Sequence, residues 1–234
     1  MNPLVSYQLN GGIATVTMDD GKVNAMSPQM IGELNAALDR ATTDRAAIVL
    51  TGRPGVFSGG FDLTVMARGG ANAYEMLMGG FELAGRILSF PAPVVMACNG
   101  HALAMGVFIL QAGDYRIGVN GPHKIGANET AIGLNLPHTT IEICRQRLAP
   151  AHFNRALINA EIYSPADAVA AGFLDRVVEE TELQTEAQAM ITRLAKYNRA
   201  TLVANKQLVR GQAIKTVTAA LDADRTELAP LKRK

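Results

Sequence analysis

The chain lacks tryptophan, has only two cysteines, and carries no excess of either charge. Its 22 basic and 21 acidic residues give a formal net charge of +1, so electrostatics does not draw the whole chain to nucleic acid or to an anionic membrane. No uninterrupted apolar run reaches the ~20 residues of a membrane span, and the amino terminus has no basic and apolar signal pattern. These absences predict a cytoplasmic protein without nucleic-acid or membrane partners.

The residues that could bind a metal or form a disulfide are scattered. Cys98 and Cys144 lie in apolar runs, which predicts reduced core thiols rather than a disulfide. His123, His138 and His152 lack the spacing of metal ligands. We therefore expect neither a disulfide nor a metal site.

Apolar residues are abundant, at 48% of the 234 residues, while charged residues make up 18%. This composition excludes a disordered chain, and the length allows a sizeable core. The Asn10-Gly11-Gly12 turn between residues 4–9 and 13–18 predicts a hairpin. Ser27 followed by Pro28 predicts the start of a helix. Because β-like runs alternate with helical patterns further on, we expect a layered α/β fold.

Two glycine-rich turns dominate the pattern. The first, residues 56–63, reads Val-Phe-Ser-Gly-Gly-Phe-Asp-Leu, and the second, residues 99–106, reads Asn-Gly-His-Ala-Leu-Ala-Met-Gly. Each follows an apolar β-like run and leads into a helical pattern. Glycine lets the main chain approach a ligand closely, and the first N–H groups of a helix have no partner inside it. Two such turns side by side form a place for an oxyanion.

These paired turns resemble the signatures of the crotonase (enoyl-CoA hydratase/isomerase) superfamily, in which each turn gives one N–H to a thioester oxygen. The matching donors in this chain are Phe61 and Met105. The resemblance covers almost the whole chain, and further matching segments are residues 24–25, 113–117, 129–134 and 164–172. It implies an α/β fold of the ClpP/crotonase type, a spiral of ββα units with a C-terminal helical assembly region.

The resemblance also predicts the catalytic base. Hydratases of the superfamily place one glutamate just after the second turn and another further along the chain. Here the first position holds Phe108, and only the second, Glu129, is retained. One carboxylate suffices to move a double bond, whereas hydration by two carboxylates lacks one of its two acid/base groups here. The sequence around Glu129 resembles that of the monofunctional isomerases that convert 3-enoyl-CoA to 2-enoyl-CoA, and its apolar neighbours Phe108, Ile132 and Leu136 are expected to raise its pKa.

For coenzyme A, superfamily members use main-chain groups around the first turn and around residues 24–25. The matching positions are Ala25, Gly59, Phe61 and Leu63, together with Met105 in the second turn. Lys22 or Arg53 could meet a phosphate. Coenzyme A enters as part of an acyl-CoA substrate, so the resemblance implies no separate cofactor.

The carboxyl-terminal part of the chain has a helical pattern. Apolar spacing predicts a helix over residues 201–221, and Thr181 with Gln184 has the form of a capping box before an earlier helix. We divide the chain into a crotonase-like core, residues 1–175, and a helical region, residues 176–234, which is shorter than in the family. Superfamily members use this region to assemble, which implies a homotrimer or a hexamer.

Two alternatives to the isomerase stay open. One is an enoyl-CoA hydratase or another crotonase-type reaction. The other is a catalytically silent binding or assembly protein, because Ala104 and Met105 replace the usual glycines of the second turn. We interpret Asp62 as a helix cap, while Asp114 and His101 are expected to have structural roles.

Overall fold

Two β-sheets and nine helices of the described residues make up the fold. The computed structural model describes residues 2–233. The strands are β1 Val5–Asn10, β2 Ile13–Met18, β3 Ala47–Thr51, β4 Gly55–Ser58, β5 Val94–Cys98, β6 Gly100–Leu103, β7 Tyr115–Val119, β8 Ile125–Gly126 and β9 Arg176–Val178. The helices are α1 Pro28–Thr43, α2 Leu63–Arg68, α3 Gly70–Leu88, α4 Met105–Ala112, α5 His138–Arg145, α6 Pro150–Leu157, α7 Pro165–Ala171, α8 Leu183–Ala195 and α9 Arg199–Leu228.

The larger sheet has the order β1-β2-β3-β5-β7-β9, and the smaller one the order β4-β6-β8. Every pair except β1–β2 is parallel. Each of the first two spiral turns therefore places one strand in the large sheet and the next in the small sheet, as β3 and β4 do, followed by β5 and β6. The two glycine turns leave the adjacent strands β4 and β6 at the same edge.

Both faces of the large sheet are covered. Residues on one face of β3 and β5, such as Leu50 and Met96, belong to the main core, which also includes α1, α3 and α4. Residues on the other face, such as Val49 and Val95, pack against α8. The continuously apolar strands follow from this burial on two sides.

Helix α9 is attached to the core through buried ion pairs. Lys206 and Arg210 contact the Asp114 carboxylate at 2.8 and 2.9 Å. Arg210 also donates to the carbonyl oxygens of Leu88 and Gly113, at and just beyond the carboxyl ends of α3 and α4. Cations at these ends are favoured by the helix dipoles. The structural role expected for Asp114 agrees with these contacts.

Most local predictions are confirmed. Strands β1 and β2 form the hairpin, and the Ser27 hydroxyl accepts from the Met30 N–H at the start of α1. The capping box was wrong, because it is formed two residues earlier than predicted, by Glu179 and Glu182.

The C-terminal helix is longer than its apolar spacing predicts. Helix α9 begins before residue 201 and continues past residue 221. Strand β9 lies after residue 175 but pairs with β7, and the division at that residue stays a prediction. No helix within residues 2–233 combines the length and apolarity needed to cross a bilayer.

Candidate active site

A cavity of about 450 Å³ lies where the two glycine turns meet. Its walls come from both turns, from α2 and α3, from the segment after β8, and from the end of α9 with the 3₁₀ helix Ala229–Arg233 that follows. The lining is mostly apolar. A larger hollow, of about 610 Å³, lies on α8 and is lined by residues such as Gln184 and Gln188, but it contains none of the predicted site residues. We therefore place the candidate site in the cavity between the turns.

The turns touch each other so closely that both need glycine. A Cβ on Gly60 would lie 2.7 Å from the Ala104 Cβ and 3.3 Å from the Met105 nitrogen. A Cβ on Gly106 would lie 2.4 Å from the Ser58 carbonyl oxygen. Any larger residue would push the turns apart, because real Cβ contacts this short do not occur. The turns that carry the two predicted donors, Phe61 and Met105, are thereby held in contact with each other.

The first turn is fixed by a buried asparagine. The Asn24 amide is fully buried and donates to the carbonyl oxygens of Met18 and Phe57 at 3.1 Å. The Asn24 backbone carbonyl oxygen accepts from the Ser58 hydroxyl at 2.7 Å, and the Gly59 N–H donates to the Val23 carbonyl oxygen. The residues before Phe61 thus have their polar groups paired within the turn, which makes the backbone rigid.

The second turn carries backbone strain. Ala104 has φ 49° and ψ −130°, a conformation that usually requires glycine. Met105 follows as the first residue of α4, where a backbone N–H has no partner inside the helix. Within residues 2–233, neither the Phe61 N–H nor the Met105 N–H donates to a backbone carbonyl outside the regular elements. Both donors are thus available to a ligand oxygen.

Glu129 supplies a carboxyl group to this cavity. It follows β8 and is only 7% exposed, and its Oε2 has no hydrogen-bond partner among the described residues. Burial raises the pKa of Glu129 to about 7, although a hydrogen bond from its own backbone N–H offsets part of the rise. Its backbone is well fixed, because the Glu129 carbonyl oxygen accepts from Leu134 and Ile132. The predicted rise in pKa is confirmed in direction.

Phe108 lines the cavity and is buried, as Glu129 is. Of the lining residues that fall within residues 2–233, Glu129 alone has an ionisable side chain. A phenyl ring neither polarises water nor exchanges protons, so acid/base chemistry in this cavity has one carboxyl group at its disposal.

The structure brings most, but not all, of the predicted binding residues to the cavity wall. Gly59, Phe61 and Leu63 line it. Leu63 is 68% exposed, which places it at the mouth. Ala25 lies beside the first turn but outside the lining, with its N–H donating to Asp20. Met105 is buried and lies outside the lining, with its methyl group near α3. Its backbone N–H as a ligand donor stays a prediction.

The remaining polar candidates have structural contacts. Asp62 caps α2 by accepting from the N–H groups of Thr64 and Val65. His101 accepts from the Lys124 N–H through Nδ1. Arg53 forms an ion pair with Asp19 and donates to the Lys22 carbonyl oxygen. A phosphate contact by Lys22 or Arg53 stays a prediction.

Three features of the site were missed from the sequence. The Asn24 side chain fixes the first turn, and its φ of 51° is a signal that only coordinates reveal. Asn128 lines the cavity beside Glu129 with a buried, unpartnered Oδ1. Leu228 and Leu231 reach the cavity from the C-terminal segment. Helix α9 has weak amphipathic patterning, so the sequence did not indicate which of its residues face a pocket.

The sequence pattern of the Enoyl-CoA hydratase/isomerase family matches residues 8–233. The chain belongs to this family. Its crotonase-like α/β fold is confirmed by the crystal structure of an enoyl-CoA hydratase/isomerase family protein from Pseudomonas syringae. That structure is 48% identical in sequence with a TM-score of 0.94, over 96% of this chain and 98% of the other.

Two curated relatives differ in the activity that they are named for. The human mitochondrial enoyl-CoA delta isomerase 1 is 32% identical over 193 residues, which are 80% of this chain and 64% of the human protein. The chain therefore matches less than two thirds of that relative's length. A putative enoyl-CoA hydratase of Thermus thermophilus is 28% identical over 206 residues, 85% of this chain and 81% of the other. The names of these two relatives thus agree on enoyl-CoA but differ in the reaction.

Proposed function

We propose that this protein shifts the double bond of a 3-enoyl-CoA thioester to the 2-position, with Glu129 as its acid and base. The observation that carries the proposal is the buried carboxyl group of Glu129, the one ionisable side chain among the described residues that line a mostly apolar cavity, which Phe61 and Phe108 also line. The name of the human relative, an enoyl-CoA delta isomerase, agrees with it.

In the first step, ionised Glu129 takes a proton from C2 of the substrate. The electron pair of the broken C–H bond becomes delocalised over the double bond and the thioester carbonyl, and negative charge develops on the thioester oxygen. The N–H groups of Phe61 and Met105 hydrogen-bond to that oxygen. One donor of this kind stabilises a transition state by roughly 3–4 kcal/mol. Its identity as a backbone group explains why phenylalanine and methionine are acceptable at these positions.

In the second step, protonated Glu129 returns the proton to C4. The double bond then lies between C2 and C3, and the thioester carbonyl is restored. The substrate gains and loses no atoms, and the carboxyl group is ionised again. A pKa near 7 suits both steps, because the group must accept a proton and release it at similar cost.

Hydration is disfavoured by the same residues. Water addition needs a group that orients and deprotonates water while another group protonates carbon. Phe108 occupies the wall where superfamily hydratases have a carboxylate, and the lining around it is apolar. Glu129 itself disfavours a silent binding protein. A buried, unpaired carboxyl group destabilises the fold, and a destabilising group of this kind is typical of a site with acid/base chemistry.

Coenzyme A is proposed as part of the substrate, with no separate cofactor. Main-chain groups at Ala25, Gly59 and Leu63 would contact it next to the cavity mouth. We also propose that the protein works as a homotrimer or a pair of trimers. Leu208 and Val209 support this, because both are apolar and about four-fifths exposed on the outer side of α9.

Product analysis tests the proposed reaction. Purified protein is incubated with a 3-enoyl-CoA and, separately, with a 2-enoyl-CoA, and the products are separated and identified. We expect isomerisation of the 3-enoyl compound without water addition to the 2-enoyl compound. Glu129→Gln should lower the rate by about 10²–10⁴-fold, since this is the usual contribution of a general acid/base.

The matched control is Glu180→Gln, which makes the same chemical change at an exposed residue and should leave the rate unchanged. Hydration that survives Glu129→Gln would contradict the proposal. Binding of both thioesters without turnover of either would identify a silent binding protein.

A further inference from the structure

The C-terminal segment of the chain forms one end of the cavity. Leu228, the last residue of α9, and Leu231, in the 3₁₀ helix that follows, are both lining residues. Both are partly buried and packed against the main core. Like Asn128, they are lining residues that the sequence did not predict.

Helix α3 runs along the cavity, so its length indicates how far apart the two ends of the cavity lie. Ala73, Leu77 and Phe81 line the cavity at four-residue spacing, on one face of the helix. The Phe81 ring lies 5.7 Å from the Phe61 ring, next to the oxyanion donors. Eight residues of α-helix rise by about 12 Å, so Ala73 lies at the other end of an elongated space.

The C-terminal segment lies at that other end. The Lys232 Nζ is 4.1 Å from the centre of the Tyr74 ring, so the residue after Leu231 contacts the residue after Ala73. The cavity therefore runs from the donors, along the α3 stripe, to the two leucines. Both leucines are apolar, and so is the lining residue Met66 of α2.

Hydrogen bonds fix the end of α9 to two neighbouring helices, α5 and α3. Asp224, one turn before Leu228, accepts from the N–H groups of His138 and Thr139 at 2.8 Å. Arg225 donates to Glu82 on α3 at 2.8 Å. These contacts tie the end of α9 to α5 and to α3, so Leu228 and Leu231 are parts of a positioned wall.

We propose that Leu231, supported by Leu228, sets the upper length of the acyl chain that the cavity accepts. The inference rests on the proposed function, and it adds a substrate class: thioesters with an unbranched apolar acyl chain of medium length. A chain that reaches the leucines gains apolar contact, while a longer chain must displace the anchored segment or bend out of the cavity. A difference of a few methylene groups is well within what such a wall discriminates.

Calorimetric binding of saturated acyl-CoAs tests this without requiring turnover. Octanoyl-CoA and hexadecanoyl-CoA are titrated into the wild type, Leu231→Ala, Leu231→Phe and Leu9→Ala. The wild type should bind octanoyl-CoA more tightly. Leu231→Ala should shift the ratio of the two dissociation constants by about tenfold toward the longer compound, and Leu231→Phe should shift it toward the shorter one.

Leu9→Ala makes the same truncation on β1, at a residue that is 45% exposed and outside the cavity lining, and it should leave the ratio unchanged. Leu231→Phe also keeps the test decisive if the alanine variant does not fold. An unchanged ratio in the Leu231 variants, or an equal shift in Leu9→Ala, would overturn the inference. Shifted binding in a protein that isomerises nothing would leave the wall in place and remove only the proposed reaction. Failure of both acyl-CoAs to bind the wild type would remove both.

Discussion

Two acidic residues of this protein, Asp114 and Glu129, have opposite surroundings. Asp114 accepts from the Val94 N–H at 2.7 Å and contacts two buried cations, Lys206 and Arg210. Glu129 has no cation beside it in the cavity, and one of its oxygens has no partner among the described residues. Asp114 directly precedes β7, and Glu129 follows β8. The sequence singles out both acids.

The difference separates structural from chemical use of a buried charge. Ionised Asp114 is compensated in the folded state, so it attaches α9 to the core. Glu129 is not compensated, and desolvation moves its pKa to about 7, where it can accept and release a proton. The Asp114 carboxylate is thus paired with cations, whereas burial disfavours a charge on Glu129, and Glu129 is the acid that lines the cavity.

Removing the compensated acid should produce the larger change in stability. Asp114→Ala leaves Lys206 and Arg210 buried without their anion, and burial already lowers the pKa of Lys206. Breaking a buried ion pair by removing one partner typically costs about 3–5 kcal/mol. Chemical denaturation should therefore show a lower free energy of unfolding by that amount.

The control for this change is Asp222→Ala, at a side chain that is 70% exposed and paired with Arg225. Exposed ion pairs contribute about 0–1 kcal/mol, so this variant should remain close to the wild type. Equal losses in the two variants would show that the Asp114 cluster is no more than a surface pair, and the comparison would fail.

Removing the uncompensated acid should stabilise the protein, although by less. Glu129→Gln abolishes a charge that the folded state disfavours. Because the folded pKa of about 7 lies above the unfolded value, wild-type stability falls as the pH rises from about 4.3 through 7. The free energy of unfolding of Glu129→Gln should therefore exceed that of the wild type by about 3–4 kcal/mol near pH 8, with a gain near zero at about pH 4.

Denaturation curves of the wild type and Glu129→Gln at both pH values measure this difference, with Glu180→Gln as the exposed counterpart. A gain that is the same at both pH values would mean that ionisation of Glu129 is not its source. A loss of stability near pH 8 would mean that Glu129 is paired in solution.

Much of the site could be predicted because its chemistry depends on residues close in sequence. The glycine turns and Glu129 each sit directly after a strand, and their spacing is typical of one superfamily. Asn24 fixes the first turn through carbonyl groups 32 and 33 residues away, one of them that of Phe57. Such long-range bonds leave no local pattern, and neither does the position of Leu231 at the cavity.

The fold shows the same division. The β1–β2 hairpin and the α1 cap follow from local turn and capping chemistry. The large sheet, in contrast, ends in β9, which pairs with β7 after an interval of more than fifty residues and has only three residues of its own. A strand so short is defined by its neighbour in the sheet rather than by its sequence.

The pH dependence of kcat/KM for a 3-enoyl-CoA tests most directly that Glu129 is the acid and base of the reaction. Ionised Glu129 starts the reaction, so the rate should rise with pH and level off above a midpoint near its pKa of about 7. The residual rate of Glu129→Gln should lack this limb. A wild-type midpoint near 4.3, the ordinary value for glutamate, or the same limb in Glu129→Gln, would contradict the account.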